Sequence, residues 1–145
     1  MSDLDTLSQL NRLLTIEYRS LPMYLHDADP WAHASDSAGR DMLNDIIADQ
    51  RQASQRIAAF IQDMDEAPSP DEFPMEFTDL HFLSLDYLLG ELLRYQRIAV
   101  EDLEDCVGAL SHEPEARNLA EEILGMERAH LESIEQIASQ PVAAG

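Results

Sequence analysis

The chain is short of the residues that most often advertise a function. It has one cysteine, Cys106, among 145 residues. That excludes an intrachain disulfide and a cysteine-built zinc site. Cys106 falls beside an apolar stripe and reads as a small buried filler. Glycine is scarce, at five residues, and no glycine-rich loop that could cradle a phosphate is present. Basic residues number nine against 29 acidic ones, for a formal net charge of -20. With no basic patch, nucleic acid and anionic membrane surfaces are unfavourable partners. No apolar run approaches the ~20 residues of a membrane span. The segment Met1-Ser2-Asp3-Leu4-Asp5 is acidic and lacks a secretory apolar stretch, so the expected compartment is the cytoplasm. No Ser-His-Asp set, cysteine nucleophile or internal repeat is visible.

What remains is a helical pattern. Apolar residues make up 45% of the chain, enough for the core of one domain over residues 1–140, with 141–145 as a short tail. Four long helices are expected and no strand. The first, about Asp3 to Asp27, opens on a capping-box-like Ser2-x-x-Asp5 and carries the stripe Leu10, Leu14, Glu17, Leu21, Tyr24. Pro22 should kink or loosen it. The second, about Asp36 to Met64, carries Met42, Ile46, Asp49, Ala53, Ile57, Phe60 and Met64, with Gln52 on the edge. The third, about Asp79 to Leu110, has Thr78 as its expected N-cap and Leu85, Leu89, Leu92, Gln96, Ala99, Leu103, Cys106 and Leu110 as its stripe. The fourth begins at about Pro114 and ends near Ser139. The second and third are separated by roughly fourteen residues, long for a hairpin and suited to climbing a bundle. Two helical hairpins joined by one long crossover is the ferritin-like arrangement among four-helix bundles.

Each stripe is interrupted near its middle. Glu17, Asp49, Gln96, and Glu127 with His130 occupy those interruptions, one set per helix. Glu127 and His130 are three apart and share a helix face. That face steps through Ile123, Glu127, His130, Ile134 and Ile137, so both polar groups point where burial is costly without compensation. One such residue per helix implies a single polar layer across the bundle. Bundles commonly compensate such a layer with a metal ion, and Glu-x-x-His presents two ligands from one helix.

At this point the sequence resembles a family. Leu10-Asn11-Arg12-Leu13-Leu14-Thr15-Ile16-Glu17 is similar to the opening helix of bacterioferritins, Tyr24 falls where they have a tyrosine, and Ile123 to His130 matches their last ligand-bearing helix. The resemblance extends to about Ile137. It implies six ligands for two iron ions: a Glu, a Glu-x-x-His, a Glu, and a second Glu-x-x-His. Glu17, Glu127 and His130 match. Asp49 stands for the second Glu, Gln52 for its His, and Gln96 for the third Glu. Gln50 stands where the family's haem-holding Met would be, so haem is not expected. The short tail lacks the fifth helix of ferritin cages, so a large shell is not expected either.

A two-iron site asks for about four carboxylates and two imidazoles. This set offers three carboxylates and one imidazole, and Asp49 reaches ~1.5 Å less far than Glu. Three readings follow. One divalent ion (iron, manganese or zinc) is held by Glu17, Asp49, Glu127 and His130, with Gln52, Gln96 and Tyr24 nearby. Alternatively the core is metal-free, its amides satisfying the acids in a structural or interaction protein. A ferroxidase is the weakest of the three. The expected assembly is a homodimer, with Leu13, Leu25 and Ile47 available to line the contact. Trp31, His26, His33, His81 and His112 are expected in loop-packing, capping or surface roles. Arg51 and Arg94 are expected on solvated faces. The methionines at 23, 42, 64, 75 and 126 read as core packing.

Overall fold

In a computed structural model of the chain, the residues described are 3–28, 37–80 and 85–139. They form five α-helices and one 3-10 helix: α1 (Asp3–Tyr18), α2 (Leu21–Ala28), α3 (Ser37–Asp63), the 3-10 helix Met75–Leu80, α4 (Leu85–Ala109) and α5 (Pro114–Ala138). None of these helices is long and apolar enough to cross a membrane. The expectations for Trp31, His33, His81, the Ser2 cap and the 141–145 tail lie outside the described residues.

The first expected helix is two helices. Pro22 lacks an amide hydrogen, and the chain breaks just before it at Arg19 and Ser20. Ser20 then caps α2: its hydroxyl accepts from the amide of Met23 at 3.2 Å and its carbonyl from that of Tyr24 at 3.1 Å. Pro22 falls in the first turn, where its missing donor costs nothing. α3 ends in a Schellman-type turn. The amide of Glu66 reaches the carbonyl of Ile61, that of Asp65 reaches Gln62, and Asp65 takes φ 61°. Thr78 does not cap the following helix. It lies within the 3-10 helix and donates to the carbonyl of Met75 at 2.7 Å.

α1 packs on α3 and α4 on α5. α1 also touches α4, and α3 touches α5, which closes a four-cornered bundle. The segment between α3 and α4 crosses the bundle and is tied to α1 on the way. Asn11 Oδ1 accepts from the amide of Ser69 at 2.8 Å, and Thr15 Oγ1 from that of Asp71 at 2.9 Å. Arg19 Nε donates to the carbonyl of Asp71 at 2.9 Å.

Two apolar clusters fill the bundle. One gathers Leu10, Leu13, Leu14, Ile57, Ile61, Leu103 and Ile123; the other gathers Leu21, Leu25, Ile46, Ile47, Leu88, Leu92 and Ile134. Each such side chain contributes about 1.5–3 kcal/mol on burial. Leu13, Leu25 and Ile47 are thus core residues, at 0%, 0% and 4% exposure, and cannot line a subunit contact. Met75 is also not core: it is 88% exposed. On every long helix the passage from one cluster to the other is made by a buried polar residue: Glu17, Gln50, Gln96, and Glu127 with His130. The polar layer is a cross-section of the bundle with an apolar cluster on each side.

Candidate metal centre

The helices bring most of the interrupting residues together, with one change of register. On α3 the buried seam runs Leu43, Ile46, Ile47, Gln50, Ala53, Ser54, Ile57, Ile61. The expected seam through Asp49, Phe60 and Met64 is rotated by about one residue. Gln50 is therefore the inward polar group, at 1% exposure, while the Asp49 side chain is 49% exposed and Gln52 is exposed. On α3, Gln50 meets Glu127 and Asp49 meets His130. Asp49 reaches the layer only from its rim.

Glu127 is the hub. Its Oε2 accepts from Gln50 Nε2 at 2.9 Å, and its Oε1 is in a short contact with His130 Nδ1. Its backbone carbonyl accepts from Gln96 Nε2 at 2.9 Å. The other ring nitrogen of His130, Nε2, lies 2.9 Å from Asp49 Oδ2. Gln50 completes its own bonding by accepting from the Ser20 hydroxyl at 2.5 Å. That bond needs the helix break, because it is the turn at Ser20 that brings its hydroxyl beneath α3. Burial acts to lower the pKa of His130. The hydrogen bond and charge of Glu127, with Asp49 behind them, outweigh it and raise the pKa overall. With a carboxylate on each nitrogen, the ring is read as an imidazolium that donates to both.

Glu17 is different. It is fully buried, neither carboxyl oxygen accepts a hydrogen bond from a donor group among the described residues, and the carboxyl lies in hydrogen-bond contact with that of Glu127. Burial first, then the charge and contact of Glu127, then Asp49, raise its pKa well above the ordinary carboxylate range. A proton on Glu17 removes both the buried charge and the repulsion from Glu127.

Tyr24 lies apart. It packs on Phe73 and Phe77 at ring-centroid distances of 5.2 and 5.6 Å, tying α2 to the crossover segment. Arg51 and Arg94 are exposed, and Arg94 pairs with Glu91 at 2.9 Å. His26 and His112 are exposed as well.

This donor set does not fit two iron ions. The groups present are the Glu17 and Glu127 carboxyls, the Gln50 and Gln96 amides and the His130 imidazole, with Asp49 at the rim, short of the about four carboxylates and two imidazoles that two irons ask for. Among the described residues, no three His, Cys, Asp or Glu side chains are grouped to hold a metal ion. Both oxygens of Glu127 and both nitrogens of His130 already face protein partners. An ion entering here would have to break those contacts first.

Sequence reasoning missed Gln50 as the inward residue and Ser20 as its support. The signal was present: Leu43, Ile47, Gln50, Ser54, Ile57 and Ile61 step by 4, 3, 4, 3 and 4, which is also a helix face.

No protein-family model matches the sequence, and no curated protein does. Among solved structures 56 chains match. One is the crystal structure of ferritin-like, diiron-carboxylate proteins from Bacillus anthracis str. Ames, with a TM-score of 0.76 over 96% of this chain and 100% of that one. The two are 16% identical, a likeness that carries the fold and not the chemistry. The chain has the ferritin-like helical-bundle fold.

Proposed function

We propose that this protein is a non-catalytic member of the ferritin-like fold, in which a self-satisfied polar network occupies the place of a metal centre. Its role would be structural or binding, not redox. One observation carries the reading: Glu127 spends its oxygens on Gln50 and His130, and His130 spends its second nitrogen on Asp49. A cation would have to displace these contacts, and it would meet the neutral amides of Gln50 and Gln96 beside them. When Glu17 carries a proton, the imidazolium offsets one of its two carboxylate neighbours, and the uncompensated charge falls to the half-exposed rim at Asp49. A lone buried thiol, Cys106, suits a reducing compartment such as the cytoplasm.

A second reading is favoured by Glu17. Two oxygens at full burial that accept no bond from a donor group are also what a single divalent ion would satisfy, with Glu127 and His130 turned to join it. Metal content of protein purified without chelator, together with melting in Fe(II), Mn(II) or Zn(II), separates the two. An ion at 100 times its dissociation constant adds ~2.7 kcal/mol. The metal-free reading expects no bound metal and no gain that depends on His130. A stoichiometric metal, or a stabilisation lost in His130→Ala, would overturn it.

A further inference from the structure

A groove of about 450 Å³ enters the bundle between the α1–α2 break and α4. Its floor is the edge of the polar layer, at Ser20, Gln50 and Gln96. Ile16, Ile98, Ala99 and Tyr95 line its apolar sides. Its outer wall is the crossover segment, and that wall is held in place. Asn11 and Thr15 bind its backbone from α1, and Tyr95 Oη lies 2.6 Å from Glu76 Oε1 on the α4 side. A few convergent polar groups at the end of an otherwise apolar, pre-formed cleft is the usual build of a small-molecule site.

The groups on the floor are not equivalent. Gln50 spends its carbonyl on Ser20 and an amide hydrogen on Glu127. Gln96 is 4% exposed, and its side chain makes one hydrogen bond among the described residues, to the Glu127 carbonyl. A glutamine amide can make four. The Gln96 carbonyl oxygen is therefore the acceptor left for an occupant. The mouth disfavours anions. Asp71, Glu72 and Glu76 line it, with Asp102 paired to Arg12 at 3.4 Å, and its two arginines are engaged: Arg94 on Glu91 and the Tyr95 ring, Arg19 on the Tyr18 and Phe73 rings.

We infer that this groove binds a small amphipathic molecule with a flat apolar body and a neutral or cationic N–H or O–H donor head, seated against Gln96. The body lies against Ile16, Ile98 and Ala99 and beside the Tyr95 ring, one face of which Arg94 already covers. The inference rests on the metal-free reading in one respect: the amide that reads the head stands where a metal site would need a carboxylate.

Protein NMR of the full chain in EDTA, titrated with indole, benzylamine and benzoate to millimolar concentration, tests it. Indole and benzylamine should shift the Gln96 side-chain amide and the backbone amides of Ser20 and Tyr95, with benzoate at least about tenfold weaker. Gln96→Leu should weaken indole binding about tenfold, equivalent to ~1.4 kcal/mol for one lost hydrogen bond. Ala99→Trp, which fills the groove from α4, should abolish it; a melt of each variant confirms folding. Absence of shifts at these residues, unchanged affinity in both folded variants, or benzoate binding as tightly as indole would each overturn the assignment. Metal uptake alongside intact probe binding would count against the metal-free reading alone. Failure of the probes in a chain that takes up no metal would count against the groove alone.

Discussion

Replacing Glu17 by Gln should stabilise the protein, and by more as the pH rises. Glu17 is fully buried, its oxygens accept no hydrogen bond, and Glu127 lies against it. In the unfolded chain a glutamate ionises near pH 4.5. Above that pH the folded protein keeps a proton that the unfolded chain has shed. Stability then falls by up to ~1.4 kcal/mol for each pH unit, until the pH passes the raised folded pKa. Between about pH 5 and about pH 7 the loss amounts to at most ~2.7 kcal/mol, or ~5–10 °C in Tm. His130 acts with the same sign. Its folded pKa is raised, so its stabilisation is complete below about pH 6.5 and is lost as the pH climbs through the folded value. The amide introduced by Glu17→Gln has no such proton to lose and can donate to Glu127 at every pH. Urea unfolding of wild type and Glu17→Gln in EDTA, across this range at fixed ionic strength, should show two curves that diverge with pH and then run parallel. Curves parallel throughout, or a variant less stable than wild type with the deficit growing with pH, would mean that Glu17 is ionised in the fold and would refute the reasoning.

Four further outcomes follow from the structure. Gln50→Leu should cost about 2–4 kcal/mol in urea unfolding, because it strips a donor from buried Glu127 and an acceptor from Ser20. Gln52→Leu, on the exposed side of α3, should stay within ~0.5 kcal/mol of wild type. Asp65→Gly should raise stability by about 0.5–1 kcal/mol, since φ 61° at the end of α3 is a conformation glycine adopts without steric cost; a lower Tm would contradict that view of the turn. Cys106 is buried and its thiol is pushed up to about 11, chiefly by desolvation. It should therefore resist thiol reagents at pH 8 in the folded protein and react on unfolding.

The long periodic segments were readable because burial imposes the 3.6-residue repeat directly. α5 begins at Pro114 and ends at Ala138, close to where proline chemistry and the end of the stripe place it. The polar layer was readable for the same reason: a Glu, a Gln and a Glu-x-x-His stand in otherwise apolar faces of α1, α4 and α5. α3 was harder. Its sequence supports two overlapping seams, one through Asp49 and Phe60 and one through Gln50 and Ile61, and only packing against α1 and α5 selects the second. The break at Ser20 was legible as a disturbance near Pro22, but its consequence, a hydroxyl delivered to Gln50, is a long-range contact that no local pattern reports. The start of α4 was obscured because Thr78 has good capping chemistry and spends it inside a 3-10 turn. Leu13, Leu25 and Ile47 stood outside the expected stripes and suggested a dimer face. The bundle instead wraps its core past those stripes and buries all three within one chain.

Nitrogen-15 NMR of the His130 imidazole at neutral pH, in protein purified without chelator, reads the polar core most directly. Two protonated ring nitrogens, unchanged when Zn(II) or Mn(II) is added, are the predicted result. A ring with one bare nitrogen whose signal moves or broadens with added metal would contradict a self-satisfied network and restore the metal centre.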